Sequence, residues 1–322
     1  MKKINVAVIG TGNMGQHHVR IFSKLPQVNL VAVCDQQRER AQVLAKKYNC
    51  KSYQDYHEMI AQEQLDAISL AVPTFLHHAV SLEILKKKIP VLIEKPIATT
   101  LKEAKDIVLT SKKYKTFAMI GHIERFNPVV SALKKLIDKG TFGTIISLNT
   151  KRVGGIPAQV TSANVILDLA IHDIDISNYL LASIPKQTTA YTSRTIVKEQ
   201  EDAAVIILRY QHAVSVIENN WITPVKIRAL DITGSKAYAH LNYIDQTLSL
   251  WKNNFGNHMF TYTNYKEFIH QTSPKKMIQV KIQKAEPLQQ ELSYFIDCVQ
   301  HKRQPQMDAQ TGYNVLQIAL GL

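Results

Sequence analysis

The sequence predicts an α/β protein in which an N-terminal doubly wound parallel sheet (Rossmann type) is followed by a C-terminal α+β domain with a large open, mostly antiparallel sheet. Three observations indicate this. The length of 322 residues is about twice that of a typical domain. Short apolar runs alternate with helical segments as far as residue 121, and strand-like segments then follow one another with short polar connections. We therefore expect domains at residues 1–121 and 122–322.

The N-terminal elements begin with an apolar run, Ile4 to Ile9, that ends in a glycine and predicts the first strand. The segments that follow predict a helix over 13–25, a strand over 29–34, a helix over 38–48, a short strand near 51, a strand over 67–70, a helix over 76–88, a strand over 91–93, a helix over 101–113 and a strand over 117–120. Strands that alternate with helices of this length form right-handed βαβ units, so the predicted sheet is parallel and buried.

The C-terminal half begins with two predicted helices, at 128–139 and 166–181. Strands are then predicted at 188–194, 203–210, 214–222, 227–234, 237–241 and 247–251, which we interpret as antiparallel meanders. The Asn-, Tyr- and Lys-rich segment 253–276 is interpreted as a loop or lid. An amphipathic helix begins at Pro287, and a last helix over 313–320 is expected to pack back on the first domain.

The net charge of +13 arises from 39 lysines and arginines against 26 acidic residues. Such an excess favours anionic partners but does not choose among nucleic acid, anionic lipid and phosphorylated ligands. No nucleic-acid-binding motif and no apolar run of the ~18 residues that span a bilayer is present, so we expect neither partner. The cysteines, Cys34, Cys50 and Cys298, lack a CxxC spacing, which excludes a typical disulfide framework or zinc site and suits a reducing cytoplasm.

A dinucleotide motif, G-x-G-x-x-G, lies between the first predicted strand and the first helix, as Gly10-Thr11-Gly12-Asn13-Met14-Gly15. In such a motif the first glycine permits the tight turn, the second lets a pyrophosphate approach the backbone, and the third allows the helix to pack closely on the strand. The anion then lies at the positive N-terminus of the helix. The motif predicts a dinucleotide cofactor.

An acidic residue, Asp35, ends the second predicted strand twenty residues after Gly15. A carboxylate at that position accepts hydrogen bonds from the adenosine ribose and repels a 2′-phosphate, which favours NAD over NADP. The nearby Arg38 and Arg40 are able to bind a phosphate, so NADP stays open at this point.

Two further segments carry residues suited to catalysis. Glu94-Lys95-Pro96 places a lysine at the carboxyl edge of the predicted sheet, where open α/β folds bind ligands, although a lysine at a strand end is usually a surface charge. Asp168 and His172 are four residues apart, so on a helix they share one face. Histidine is the natural general base near neutral pH, and a carboxylate beside it orients it. An ordinary acid–histidine pair would have the same spacing.

Taken together, these motifs resemble those of the Gfo/Idh/MocA oxidoreductases, and the resemblance covers nearly the whole chain. It rests on the glycine motif, Ala71-Val72-Pro73-Thr74 with His77, Glu94-Lys95-Pro96, Arg125-Phe126-Asn127-Pro128, the segment from Asp168 to Asp175, and the helix that begins at Pro287-Leu288. The resemblance implies that Lys95, Asp168 and His172 are catalytic. It also implies an NAD site in which the nicotinamide half lies along Val72, Pro73, Thr74, His77, Glu94 and Lys95, and a homodimer or homotetramer formed through the open sheet.

Within the family, three strings are most similar to members that oxidise the C3 hydroxyl of UDP-N-acetylglucosamine: residues 121–128, 152–154 and 220–224. This implies a nucleotide-sugar substrate, for which His122, Arg125 and Arg152 are further candidate contacts because a guanidinium binds phosphate oxygens bidentately. Another sugar, an inositol or a UDP-sugar uronic acid is an alternative substrate, and a catalytically silent, dinucleotide-sensing regulator is an alternative of another class. Whether His172 or Lys95 is the base stays open.

Overall fold

The computed structural model describes residues 3–156, 164–252, 264–266 and 276–322. Of the segment interpreted as a loop or lid, residues 253–263 and 267–275 lie outside the described residues. The chain forms two compact units: residues up to Phe126 together with Glu286–Leu320, and Asn127–Ala285 together with Gly321–Leu322. The domain boundary at residue 121 stays a prediction. Each unit is described in turn.

The first unit contains a six-stranded sheet with strands β1 Ile4–Ile9, β2 Val28–Cys34, β3 Lys51–Tyr53, β4 Ala67–Leu70, β5 Val91–Glu94 and β6 Ala118–Gly121. The spatial order is β3-β2-β1-β4-β5-β6, and every neighbouring pair is parallel. The predicted doubly wound fold is thereby confirmed. The strand order reverses between β1 and β4, and ligands of such folds bind beyond the carboxyl ends of the strands at this point.

Helices connect these strands: α1 Gly15–Phe22, α2 Arg38–Tyr48, α3 Tyr56–Gln62, α4 Thr74–Lys86 and α5 Leu101–Lys113. Helix α3 is absent from the sequence prediction, because it has only seven residues and buries only Met59, too little to produce a helical period. Its start is set locally by Asp55, whose carboxylate accepts a hydrogen bond from the amide of His57.

The second unit is built on eight strands: β7 Ile145–Val153, β8 Gln187–Ser193, β9 Ala203–Arg209, β10 Val214–Asn220, β11 Ile227–Gly234, β12 Ala237–Asn242, β13 Thr247–Lys252 and β14 Met277–Gln279. Their order is β14-β13-β12-β11-β7-β10-β9-β8. All neighbours are antiparallel except β7 and β10, which are parallel, so the predicted mostly antiparallel sheet is confirmed.

The expectation of simple meanders is wrong at the centre of this sheet. Strand β7 is not among the predicted strands, yet it separates β10 from β11. Strand β7 cannot be recognised from the sequence, because its core-facing positions include the polar Thr150 and Arg152 beside Leu148. These polar residues break the alternation of apolar and polar residues that predicts a strand.

Two helical segments, α6 Pro128–Asp138 and α7 Ile171–Leu181, pack on one face of the second sheet. The core between them is formed by Leu133 and Leu180 from the helices and by Leu148 and Leu230 from the strands, all at most 1% exposed. The predicted helix over 166–181 is not a single α-helix, because its first five residues, Ile166–Ala170, form a π-helical turn.

The chain ends in two helices, α8 Pro287–Gln300 and α9 Ala309–Leu320, which belong to the first unit. Leu292 and Phe295 of α8 are completely buried in its core, where the ring of Phe295 meets that of Phe117 edge-on at 6.1 Å. Among all the described helices, none is both long and apolar enough to cross a membrane.

Candidate functional site

The glycine motif forms the turn between β1 and α1, and its three glycines differ in what surrounds them. Gly10 has a φ of +88°, and a Cβ there would lie 2.5 Å from the carbonyl oxygen of Ala71. A Cβ on Gly15 would lie 1.8 Å from the carbonyl oxygen of Gly10. A Cβ on Gly12 would meet no atom within 4 Å. The packing of the protein therefore requires Gly10 and Gly15, whereas the space above Gly12 is open to a ligand.

The start of α1 adds a positive field to this open space. No side chain caps the helix at Met14, and both Asn13 and Met14 are exposed. With no side chain over the start of the helix, the positive end of its dipole favours an anion such as a pyrophosphate. The residues present thus fit the pyrophosphate of a dinucleotide.

Asp35 follows β2 and lies against this turn. Its Oδ2 accepts hydrogen bonds from the amide of Thr11 at 2.7 Å and from the Thr11 hydroxyl at 2.8 Å. Its Oδ1 accepts one from the amide of Gln37 at 2.9 Å. A carboxylate offers about four lone-pair sites, and three are used here, so Asp35 is held in place and retains capacity for one ribose hydroxyl on Oδ1. Arg38 and Arg40 are exposed in the first turn of α2.

The turn after β4 contains Val72 and Pro73, and Thr74 is the first residue of α4, which also holds His77. Val72, Pro73 and Thr74 are all at least partly exposed. His77 is only 1% exposed, with Nδ1 at 2.9 Å from the carbonyl oxygen of Pro96 and Nε2 at 3.0 Å from that of Val72. Burial lowers the pKa of His77. His77 therefore connects the turn after β4 to the turn after β5. Its contact with a cofactor stays a prediction.

Lys95 is partly buried in the turn after β5, and its amide donates to Oε2 of Glu94 at 3.3 Å. His18 of α1 is completely buried, and its Nε2 lies 3.0 Å from Oε1 of Glu94 while its Nδ1 lies 2.7 Å from Oγ of Ser69. With the proton on Nε2, His18 donates to the carboxylate and accepts from the serine. Burial raises the pKa of Glu94, but His18 and the charge of Lys95 outweigh it and lower that pKa overall.

His18 and Ser69 are absent from the sequence-based site. The only local signal for His18 is its position on the buried face of α1, four residues before Phe22. A buried titratable side chain on an apolar helix face needs a partner, but the sequence does not say which. In the structure, His18 links the helix that follows the glycine motif to the carboxylate next to Lys95.

In the second unit, Asp168 lies in the π-helical turn and His172 in the first turn of α7, and both are partly buried. The indole nitrogen of Trp221, just after β10, donates to Oδ2 of Asp168 at 3.3 Å. The structure therefore places the predicted acid–histidine pair on one helical segment and adds a buried donor to it.

Arg152, a predicted substrate contact, lies in the core of the second unit and is 4% exposed. Its Nε lies 3.1 and 3.2 Å from the two carboxylate oxygens of Asp173, and its Nη2 lies 3.1 Å from Oδ1. Asn219 donates to Oδ2 of the same carboxylate at 3.0 Å, and the ring of Tyr243 is 5.1 Å from the guanidinium. This geometry supports a structural role in which β7 is joined to α7, and a substrate contact of Arg152 stays a prediction.

The remaining predicted residues lie in the first unit. His122 follows β6 and is 2% exposed, while Arg125 lies in the 3₁₀ turn Ile123–Phe126 and is partly exposed. The carboxyl ends of β1, β2, β4, β5 and β6 thus bring the glycine turn, Asp35, the Val72 turn, Lys95 and His122 to one edge of the sheet. Within the described residues, no three His, Cys, Asp or Glu side chains are grouped so that they could hold a metal ion.

Comparison with known proteins agrees with this geometry. Residues 4–122 match the profile of an oxidoreductase family with an NAD-binding Rossmann fold, and residues 130–240 match the GFO/IDH/MocA C-terminal domain. The UDP-N-acetylglucosamine 3-dehydrogenase of Acidithiobacillus ferrooxidans is 25% identical over 256 residues, which are 80% of this chain and 79% of that protein. An inositol 2-dehydrogenase of Mycolicibacterium smegmatis is 33% identical over 184 residues, 56% of this chain and 53% of the relative.

Solved structures share the fold over the full length. The A. ferrooxidans enzyme superposes with a TM-score of 0.87 at 23% identity and covers 100% of this chain and 97% of its own. The WlbA dehydrogenase of Bordetella pertussis, in complex with NADH and UDP-GlcNAcA, gives 0.78 at 21% identity and covers 98% and 94%. The two family matches lie in the N-terminal and C-terminal parts and together span more than half of the chain. The chain therefore belongs to the GFO/IDH/MocA family of NAD-binding oxidoreductases.

Proposed function

We propose that this oxidoreductase oxidises the C3 hydroxyl of a nucleotide sugar, UDP-N-acetylglucosamine, to the 3-keto sugar with NAD. The dehydrogenase part is carried by one observation: the open space above Gly12, the Asp35 carboxylate and Lys95 lie at the same edge of the parallel sheet. The nucleotide-sugar part is supported by the relative that matches 80% of the chain. When NAD is bound, its nicotinamide C4 supplies the hydride acceptor.

The proton of the hydroxyl group must leave as the hydride does. In the proposed mechanism His172 accepts this proton, and the Lys95 ammonium stabilises the developing alkoxide by a hydrogen bond. Asp168 orients His172 and Lys95 electrostatically. The products are the ketone, NADH and one proton. Lys95 as the base is the alternative, and the pH dependence of the Lys95 and His172 variants distinguishes the two.

The assay mixes the protein with NAD and UDP-N-acetylglucosamine, myo-inositol, glucose or a UDP-sugar uronic acid, and follows NADH absorbance. UDP-N-acetylglucosamine is expected to give the highest kcat/KM. Because oxidation of this sugar is uphill, a parallel reaction adds a 2-oxo acid, which would take the hydride from NADH and a proton on the same protein to give the 2-hydroxy acid and NAD. Since no NADH accumulates in that reaction, the 3-keto sugar and the 2-hydroxy acid are measured by mass spectrometry. If inositol alone is turned over, the activity of this chain is that of an inositol dehydrogenase, as in one of its relatives. If NAD binds and no substrate is turned over, the function is that of a dinucleotide-sensing regulator.

The catalytic assignment has its own test. His172→Ala is expected to lower kcat about 10²-fold or more while the Kd for NAD stays unchanged, because general base catalysis contributes about 10² to 10⁴. Lys95→Ala is expected to lower kcat similarly. Wild-type turnover in either variant contradicts the role given to that residue. His122 and Arg125 are further proposed substrate contacts, tested by a raised KM for the nucleotide sugar.

The partner we propose for the second sheet is another copy of this chain. The face of the sheet opposite α6 and α7 exposes Tyr191, Val205 and Ile207, with Tyr191 69% exposed on the edge strand β8. A homodimer or homotetramer would bury these side chains. Light scattering coupled to size exclusion tests this: the wild type is expected to be oligomeric, and the Ile207→Glu variant is expected to be monomeric.

The three free cysteines support the cytoplasmic location expected from the sequence.

A further inference from the structure

The π-helical turn Ile166–Ala170 interrupts the helix just before His172. Turns of this kind are rare and are frequently found at functional sites. Asp168 lies at the centre of this turn. The position of its carboxylate therefore depends on what holds an irregular piece of helix in place.

The entry to the turn is anchored on the segment that precedes β9. Oδ1 of Asn164 accepts from the amide of Leu167 at 3.0 Å, and its Nδ2 donates to Oε2 of Glu201 at 3.0 Å. The amide of Val165 donates to the carbonyl oxygen of Glu201 at 3.0 Å. Hydrogen bonds from Arg194 and Asn164 lower the pKa of Glu201 to about 2, so this anchor is anionic at neutral pH.

Trp221 joins the same anchor to the carboxylate. Its amide donates to the carbonyl oxygen of Asp202, next to Glu201, at 2.9 Å, and its indole nitrogen donates to Oδ2 of Asp168 at 3.3 Å. The Trp221 side chain is 2% exposed. A buried indole N–H requires an acceptor, and a carboxylate that receives such a donor is held in one orientation.

We propose that Trp221 is a positioning residue, which acts on the reaction through Asp168 by holding its carboxylate in the orientation that serves His172. This inference rests on the proposed function, in which Asp168 supports catalysis. Tryptophan is required here for its N–H as well as its volume. Phenylalanine retains an aromatic ring but has no donor, so it removes the bond to Asp168 and keeps most of the packing.

The kinetic test compares Trp221→Phe with Trp251→Phe, the matching change at the only other tryptophan of the chain. Trp251 is partly exposed in β13, where its ring lies 5.3 Å from that of Tyr238 at an angle of 41°. Trp221→Phe is expected to lower kcat about tenfold, the loss expected for one hydrogen bond to a charged group. The KM for NAD is expected to stay at the wild-type value, and Trp251→Phe is expected to match the wild type in both. Equal kcat values for the two variants would overturn the proposal.

A double variant separates positioning from general loosening of the fold. If Trp221 acts through Asp168, Trp221→Phe is expected to cause no further loss of kcat when Asp168 is already Asn. A full additional tenfold loss would overturn the proposal. If Asp168→Asn alone has wild-type kcat, the catalytic role of Asp168 fails and this inference fails with it. If Asp168→Asn has a lowered kcat and Trp221→Phe has the wild-type kcat, the role of Trp221 is overturned and the catalytic role of Asp168 stands.

A measurement without turnover covers the case in which Trp221→Phe does not fold. Trp251→Phe protein labelled with ¹⁵N-tryptophan contains a single indole N–H, that of Trp221. Asp168→Asn in this background is expected to shift the indole resonance, because the neutral amide replaces a charged acceptor. An indole resonance that does not move would overturn the proposed bond.

Discussion

Replacing Gly12 by alanine is expected to separate cofactor binding from folding. A Cβ at this position meets no protein atom within 4 Å, and the φ of Gly12 lies outside the left-handed region. Alanine restricts the unfolded chain, so Gly12→Ala is expected to leave the free energy of unfolding unchanged or to raise it by about 0.4–1 kcal/mol. The new methyl group occupies the open space in which a pyrophosphate approaches the backbone, so NAD affinity is expected to fall.

The expected loss of affinity is at least tenfold, because a methyl group that keeps the pyrophosphate from the amides forfeits at least one charge-assisted hydrogen bond, and about 1.4 kcal/mol is tenfold in Kd. Gly15→Ala is the matched control, since its Cβ would lie 1.8 Å from the backbone oxygen of Gly10. Relieving that overlap requires α1 to move away from β1, so we expect a destabilisation of about 4 kcal/mol or more.

Calorimetric titration with NAD gives the Kd, and urea unfolding without NAD gives the stability. The expected result is a Gly12→Ala protein of wild-type stability with weak NAD binding, beside a Gly15→Ala protein of low stability. Wild-type affinity in Gly12→Ala would refute the placement of the pyrophosphate. A stability loss equal to that of Gly15→Ala would refute the argument that only a ligand requires Gly12.

Three further predictions concern buried or charged side chains. Asp35→Asn removes the charge that repels a 2′-phosphate, so the ratio of the NADP Kd to the NAD Kd is expected to fall about tenfold or more, as measured by titration with both. Burial lowers the pKa of His77 from its usual 6.5, so the unfolded chain binds the proton first and stability is lost as pH falls below 6.5. Urea unfolding at several pH values is expected to show a flatter profile for His77→Gln, and an unchanged slope would contradict this. Arg152→Leu leaves Asp173 buried without its cation and is expected to lower the free energy of unfolding by about 3–5 kcal/mol in the same assay. Adding Asp173→Leu is expected to restore part of this loss.

The fold follows from local patterns wherever an element has a strong period. The alternation of apolar strands and amphipathic helices predicts the first sheet, and the strand-rich pattern predicts the second. Strand β7 escapes prediction because its core-facing Arg152 looks like a surface residue until Asp173 of α7 is placed against it. The π-helical turn also escapes, since residues 166–171 are all apolar except Asp168 and therefore show no change of period at the extra residue.

The candidate site divides in the same way. The glycine motif and Asp35 are readable because a turn, its helix and the end of the next strand are close in the sequence. The partners of His18 and Trp221 are Glu94 and Asp168, which lie 76 and 53 residues away, and only the folded chain brings each pair together. Arg152 has the chemistry of a phosphate ligand in the sequence, and its burial against Asp173 becomes visible only in the structure.

The central claim is that a hydride passes from C3 of a UDP-linked N-acetylhexosamine to NAD on this protein. The direct measurement is a reaction with UDP-N-acetylglucosamine deuterated at C3, analysed by mass spectrometry of both products. The account predicts NADH that carries the deuterium and a 3-keto nucleotide sugar that has lost it. A product sugar that retains the deuterium, or NADH that is formed without deuterium, would contradict the account.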